Sequence, residues 1–278
     1  MGRMRRSATS LLFLFILTSI AANAGAVKQP PTIIKDVQAI AVVQSALTAM
    51  GETAAVGYQD SVANGTLTFY VDGSSVAIPI TLKSKGTQET RVELQRAKGT
   101  TVRIVNQGAG VIEQPDGTVR WLLMNNTLIE RVTHLPLFSL LGAFQDPTVS
   151  VENLGTAKVS TYTTNVVALR PLVDPAISQT QWDQSLSKTM FYVDQASGLV
   201  VKISYTNFAE NNPNLSDSIE VYLSNYQSVN GTLIPMRQTS YTNGTLESDL
   251  VVSSIAFNQG LSDTEFALPQ KASTPQSH

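Results

Sequence analysis

Groups able to do acid, base or nucleophilic chemistry are thinly spread along this chain of 278 residues. It has two histidines, His134 and His278, and no cysteine. A Ser-His-Asp triad needs an imidazole oriented by a carboxylate. Only His134 stands in a folded context, and a lone histidine beside an apolar stretch reads first as a structural residue. Zinc would need Cys or an H-E-x-x-H pair, and calcium a D-x-D-x-D-G loop; the sequence offers neither. Ser185-Leu186-Ser187-Lys188 has the S-x-x-K spacing of penicillin-recognising serine enzymes, but the S-D-N and K-T-G partners are missing. Asp72, Asp116, Asp194, Asp217, Glu220 and Asp249 could pair as a glycosidase dyad. Most of them sit in turn-like positions or on strand faces that read as wet. The chemistry expected is therefore none: no catalysis, no metal and no cofactor.

What remains is apolar surface and the elements that present it. Thr127 to Phe144, TLIERVTHLPLFSLLGAF, is the one strongly apolar helical pattern in a mature chain that otherwise reads as strands. Thr127 and Glu130 have capping-box spacing, which predicts a helix start. Pro136 ends that piece and opens a second, whose Leu137, Leu140, Leu141 and Phe144 fall on one face at the helical period. Leu135 to Phe144 carries no charge, yet about ten residues are too few to span a bilayer. Such a helix is either core or a lid over an apolar cavity.

Residues 1–24 read as a signal peptide: Arg3, Arg5 and Arg6 precede the apolar run Leu11 to Leu17, and Ala22-Asn23-Ala24 supplies a small-x-small cleavage pattern. Without a lipobox cysteine or another long apolar stretch, the product is expected to be periplasmic or secreted. Removing the leader takes three of the 19 Lys and Arg and none of the 21 Asp and Glu, leaving 16 − 21 = −5. That balance argues against a nucleic-acid partner, whose phosphates need a basic face.

After Pro30-Pro31, Ile33 to Met50 is predicted to be a helix with Gly51 as its C-cap. From Thr53 to Leu123 the period changes to two, as in Leu67, Phe69, Val71 and in Val76, Ile78, Ile80, Leu82. Turn residues punctuate these runs at Asn64-Gly65, Asp72-Gly73, Lys85-Gly86, Lys98-Gly99 and Asp116-Gly117. Pro79 within a run suggests an edge strand or a bulge. Val102 and Ile104 are read as inward with Arg103 outward, and Leu199, Val201, Ile203 and Tyr205 as inward with Lys202 and Ser204 wet. Residues 170–187 lack a period and read as an insertion. Asn243-Gly244 is the strongest hairpin signal, joining Thr232–Thr242 to Thr245–Phe257. Residues 270–278 read as a disordered tail.

The hairpin FYVDQASGLVVKISY from Phe191 to Tyr205, the segment VYLSNYQSVNGTLIPMR from Val221 to Arg237 and the ending LSDTEFALP from Leu261 to Pro269 resemble the bacterial outer-membrane lipoprotein carrier superfamily, the periplasmic lipoprotein-sorting and lipoprotein-receptor proteins. The resemblance implies one domain over residues 32–269, α+β but mostly β. Its expected form is a single curved antiparallel sheet, a half-open β-barrel, wrapped around an N-terminal helix and short mid-chain helices. It further implies an apolar cavity for a lipid, a lipoprotein acyl chain or another hydrophobic ligand. Candidate lining residues are Phe69, Val71, Trp121, Leu123, Phe138, Leu141, Phe144, Phe191 and Tyr205. The alternative is a non-catalytic envelope module that uses the same fold to bind a protein partner.

Overall fold

The computed structural model describes residues 32–124, 126–127, 135–171, 188–209 and 212–270. The expected signal peptide, the capping partner Glu130, His134, Ser185, the stretch 172–187 and nearly all of the expected tail lie outside these residues.

The described residues form one 13-stranded antiparallel sheet, flanked by α1 (Val37–Met50), the single-turn α2 (Glu52–Ala55) and α3 (Pro136–Gln145). Strands β1 (Asp60–Val71), β2 (Ser74–Lys85), β3 (Glu89–Arg96), β4 (Gly99–Asn106), β5 (Ala109–Glu113) and β6 (Val119–Trp121) run outward as a meander from the sheet's middle to one edge. The chain then crosses to the opposite edge and returns through β7 (Val149–Val159), β8 (Tyr162–Pro171), β9 (Thr189–Asp194), β10 (Val200–Ala209), β11 (Asn212–Val229), β12 (Thr232–Thr242) and β13 (Thr245–Phe257). The last strand pairs with the first, from Ser61–Phe257 to Phe69–Ser248. The mostly β, single-sheet architecture expected from the sequence is the one found.

The N-terminal helix is shorter than predicted. Asp36 is its N-cap, its carboxylate accepting from the Ala39 N–H at 2.9 Å. Residues 34–36 run extended beside β7, exchanging Val151 N–H to Ile34 O and Asp36 N–H to Val151 O. They thereby cover part of an edge that would otherwise offer unpaired backbone groups. Ala39, Val43, Ala46, Leu47 and Met50 of α1, with Leu137, Leu140 and Leu141 of α3, are buried against Val151, Val167, Phe191, Ile203 and Val221 of the returning strands. The Lys35 ammonium donates to Ala143 O and Asp146 O at the C-terminal end of α3, where the helix dipole favours a cation.

Four expectations are corrected by the register. Asn64-Gly65 is not a turn but a bulge inside β1, skipping one residue of β13. A Cβ at Gly65 would lie 2.4 Å from Val251 O, so this close strand crossing requires glycine. Pro79 sits in an interior strand, yet the β2–β3 ladder starts only at Ile80–Leu94, so the missing N–H falls where β2 is locally an edge. Lys202 is only 9% exposed rather than wet. Its ammonium lies 4.8 Å and 5.4 Å from the ring centroids of Tyr192 and Tyr222 and pairs with Glu220. Thr127 is no N-cap: its N–H donates to Leu123 O, so a helical turn is already running.

The β4 alternation is inverted. Val102 and Ile104 face outward and, with Val111, pack against Phe266, which is fully buried. The C-terminal segment thus clasps the convex face. Asp60 takes the Gln259 and Leu261 N–H groups at 2.6 and 2.9 Å, Lys83 donates to Glu265 at 2.6 Å, and Asn106 donates to Phe266 O at 3.1 Å. Phe266→Ala is expected to cost about 3–5 kcal/mol through the cavity it leaves, read as a lower urea midpoint with unchanged slope.

Glu93, on the same face, is pushed upward by burial, but the Arg91 guanidinium at 2.6 Å and Lys83 outweigh this and hold its carboxyl below the usual range. Its stabilising share is complete above the ordinary glutamate value of about 4.3 and is lost as pH falls through the lower folded value. Glu93→Gln should flatten that acid limb of stability against pH; an unchanged limb would refute the assignment.

Candidate functional site: an open hollow on the concave face

Helices α1 and α3 fill only part of the sheet's concavity. Beside them lies a hollow of about 400 Å³. Its floor is apolar: Leu67 pairs with Leu250 across the β1–β13 seam, Ile80 with Leu94 across β2–β3, and Leu82 with Val92 one row deeper. One wall, from β10 to β13, brings Tyr205, Val221 and Gln238 to the hollow. The facing wall, from β3 to β6, brings Arg96, Arg103 and Arg120. A second, polar recess of about 240 Å³ shares Arg103, Tyr205, Ser240 and Ser248 with the first and contains Asp217 and Glu247.

The arginines face inward because of register. Arg103 stands opposite Val92 on one side and Ile112 on the other, and Ile112 stands opposite Arg120. Side chains directly opposite share a face. The Arg96 guanidinium is 5.6 Å from the Phe69 ring centroid, a cation–π arrangement. Among the described residues neither Arg96 nor Arg120 has a carboxylate within ion-pair distance.

Of the nine residues expected to line a cavity, Tyr205 lines this hollow. Phe69 adjoins it beneath Arg96. Val71, at the end of β1, is 62% exposed. Phe138 lines two small clefts beside α3 and lies 6.3 Å from the Tyr58 ring and 6.0 Å from that of Phe257. Leu141 and Phe191 are buried in the helix-covered core and Phe144 packs against it. Trp121 packs with Val111 and Phe266 on the convex side, and Leu123 is half-buried just after β6. The arginines were missed because apolar residues were assigned inward strand by strand. Hairpin arithmetic finds them: once Arg96 faces Gly99 across a two-residue turn, Arg103 must face Val92.

Five of the six carboxylates weighed as a glycosidase dyad have structural partners instead. Asp194 accepts from the Ser197 N–H and hydroxyl, Asp249 from Arg237 and Thr239, Asp217 from Asn243, and Asp116 from Thr118 N–H. Glu220 is held by Lys202. Among the described residues no group of three His, Cys, Asp or Glu side chains could hold a metal. No helix among them is long and apolar enough to cross a membrane.

The sequence matches no family model and no curated protein. Solved structures do match. A domain of an outer membrane lipoprotein-sorting protein from Vibrio parahaemolyticus aligns over 82% of this chain and 95% of its own, with a TM-score of 0.54 at 13% identity. The chain shares its fold. A DUF1329 family protein from Desulfovibrio piger gives 0.54 at 13% identity over 82% and 96%. A LolA superfamily protein from Nitrosomonas europaea gives 0.53 at 15% identity over 81% and 97%. The expected likeness to the lipoprotein-carrier half-barrel thus holds at the level of fold.

The recess wall is tied by Asn126, whose amide donates to Phe208 O at 2.7 Å and accepts from Phe208 N–H at 2.9 Å, as a neighbouring strand would. Asn126→Ala would leave a buried donor and acceptor unsatisfied, an expected loss of about 1–3 kcal/mol. Faster amide exchange confined to the end of β10 would mark the same loss locally.

Proposed function

We propose that this protein is an exported, non-catalytic binder of a hydrophobic ligand, which it holds on the concave face of its half-barrel. The observation that carries the reading is the hollow itself: about 400 Å³ with a floor of Leu67, Ile80, Val92, Leu94 and Leu250. That volume falls within the range of small-molecule sites, about 300–1,000 Å³. Burying ten methylenes there would yield roughly 8 kcal/mol before the costs of ordering. The fold shared with the lipoprotein-sorting domain from Vibrio parahaemolyticus supports the same class of ligand, and the leader pattern in residues 1–24 supports export.

The test is native mass spectrometry of the protein purified from its own envelope, before and after lipid extraction, beside the variant Leu94→Trp. The wild type is expected to carry an extractable mass of several hundred daltons. Leu94→Trp should bind at least about tenfold more weakly, equivalent to about 1.4 kcal/mol. Its unfolding midpoint should change little, since the indole enters open space rather than packed core. Bare protein that takes up no fluorescent fatty acid would refute the reading.

A further inference from the structure

The inner face of the returning strands does not stay apolar to its end. Along β12 the inward residues run Ile234, Met236, Gln238, Ser240, Thr242, and along β13 they run Val252, Leu250, Ser248. The neighbouring strands change in the same direction: β11 passes from Val221 and Ile219 to Asp217, and β10 from Ile203 through Tyr205 to Asn207. Strand β1 does not follow, and its Phe69 stands directly opposite Ser248. Four adjacent strands thus turn polar together, and their polar ends line the recess of about 240 Å³ that adjoins the hollow. A half-buried face selects apolar inner residues, so packing gives no reason for this change. Nor do partners within the fold. Among the described residues, the side chains of Asn207, Ser240 and Ser248 find no hydrogen-bond partner. Ser240 and Ser248 stand directly opposite each other, and Ser248 is only 9% exposed. A hydroxyl drawn out of bulk water without a partner costs free energy, which a ligand able to hydrogen-bond would recover.

We propose that the ligand is a chain amphiphile with an uncharged polyhydroxyl head, of the glycoside or glyceride class. Its chain lies over the floor of the hollow and its head sits in the recess on Asn207, Ser240 and Ser248. The inference rests on the hydrophobic-ligand reading and adds the headgroup and its orientation. Serine hydroxyls and an asparagine amide both donate and accept, as the hydroxyls of a polyol do. Asp217 and Glu247 each accept one hydrogen bond, from Asn243 and Thr242 respectively, and keep lone pairs for further O–H donors. A charged head of either sign would meet a like charge, since these two carboxylates and the Arg103 guanidinium line the same recess. Arg103, Asn126 and Tyr205 are already engaged within the fold and are given no part in holding the head.

The test uses displacement of the neutral fluorophore N-phenyl-1-naphthylamine by ligands of equal chain length, each below its micelle concentration: decyl glucoside, glyceryl monodecanoate, decanol, decanoate and decyltrimethylammonium. At least one polyol should compete about tenfold or more better than decanol and better than either ion, equivalent to about 1.4 kcal/mol. The advantage over decanol should persist at about 0.5 M salt, where screening would erase a charge-driven preference. Whichever polyol is stronger identifies the head as glycoside or glyceride. In S240A/S248A, and separately in N207A, the ratio of polyol to decanol affinity should fall about threefold or more, the order of one lost hydrogen bond. The unfolding midpoint should hold in both, since neither variant removes a hydrogen bond of the fold. A polyol no better than decanol in the wild type would overturn the headgroup proposal and leave the hydrophobic reading standing, as would stronger displacement by either ion. A ratio that survives in a variant would overturn the part given to the residues it replaces. A fluorophore that never binds, with no uptake of any of the ligands, would overturn the hydrophobic reading as well.

Discussion

The β1–β13 ladder is the constraint on which the rest of this structure depends. It joins the first strand of the sheet to the last, so the strand sequence begins and ends in the middle and both edges, β6 and β7, are reached in mid-sequence. Such a pairing spans nearly the whole domain and carries the loop-closure entropy of the entire meander. It also forces one crossing from edge to edge. The helix α3 lies in that crossing, and its uncharged face is buried against the strands that follow it.

The same closure explains why the concavity is only partly filled. Helix α1 is anchored at the β7 edge, where residues 34–36 run beside Val151, and its other end packs against the β9–β10 and β11–β12 turns. Together with α3 it covers the returning strands. Over the outgoing strands β1 to β4 the described helices reach only as far as Phe138 of α3, and Leu67, Val92 and Leu94 stay half-buried around the hollow. Their outer face is covered instead by the C-terminal clasp, with Phe266 as its plug. The sheet is thus sealed by helices on one side and by its own C-terminus on the other.

Polar residues divide accordingly. On the convex face Lys202, Glu220, Tyr192 and Tyr222 satisfy one another, so a buried cation there is a packing device. On the concave face Arg96 and Arg120 have no such acid among the described residues. The same residue class is tied to an acid in one place and not in the other, and the difference lies in which strands stand beside it.

Local physical chemistry made much of the fold legible. The Asn243-Gly244 turn with its two strands, the change from helical to strand period after Met50, and the Leu137, Leu140, Leu141 face of α3 were all readable, because turn geometry and periodicity depend on near neighbours. Asn64-Gly65 showed the limit of such rules: the same dipeptide makes a bulge when the next strand passes 2.4 Å from where a Cβ would be. Tyr205 could be assigned to the concave face by alternation alone, whereas Phe191 and Leu141 could not be told from cavity residues, since apolar side chains look alike until their neighbours are known. The arginines of the hollow needed the register of three successive hairpins. The sequence by itself determined the elements, their one-sided apolarity and the lack of an obvious catalytic set. Only the tertiary structure decided which face of β4 points inward, because the C-terminal clasp buries Val102 and Ile104 on the outside and leaves Arg103 for the hollow.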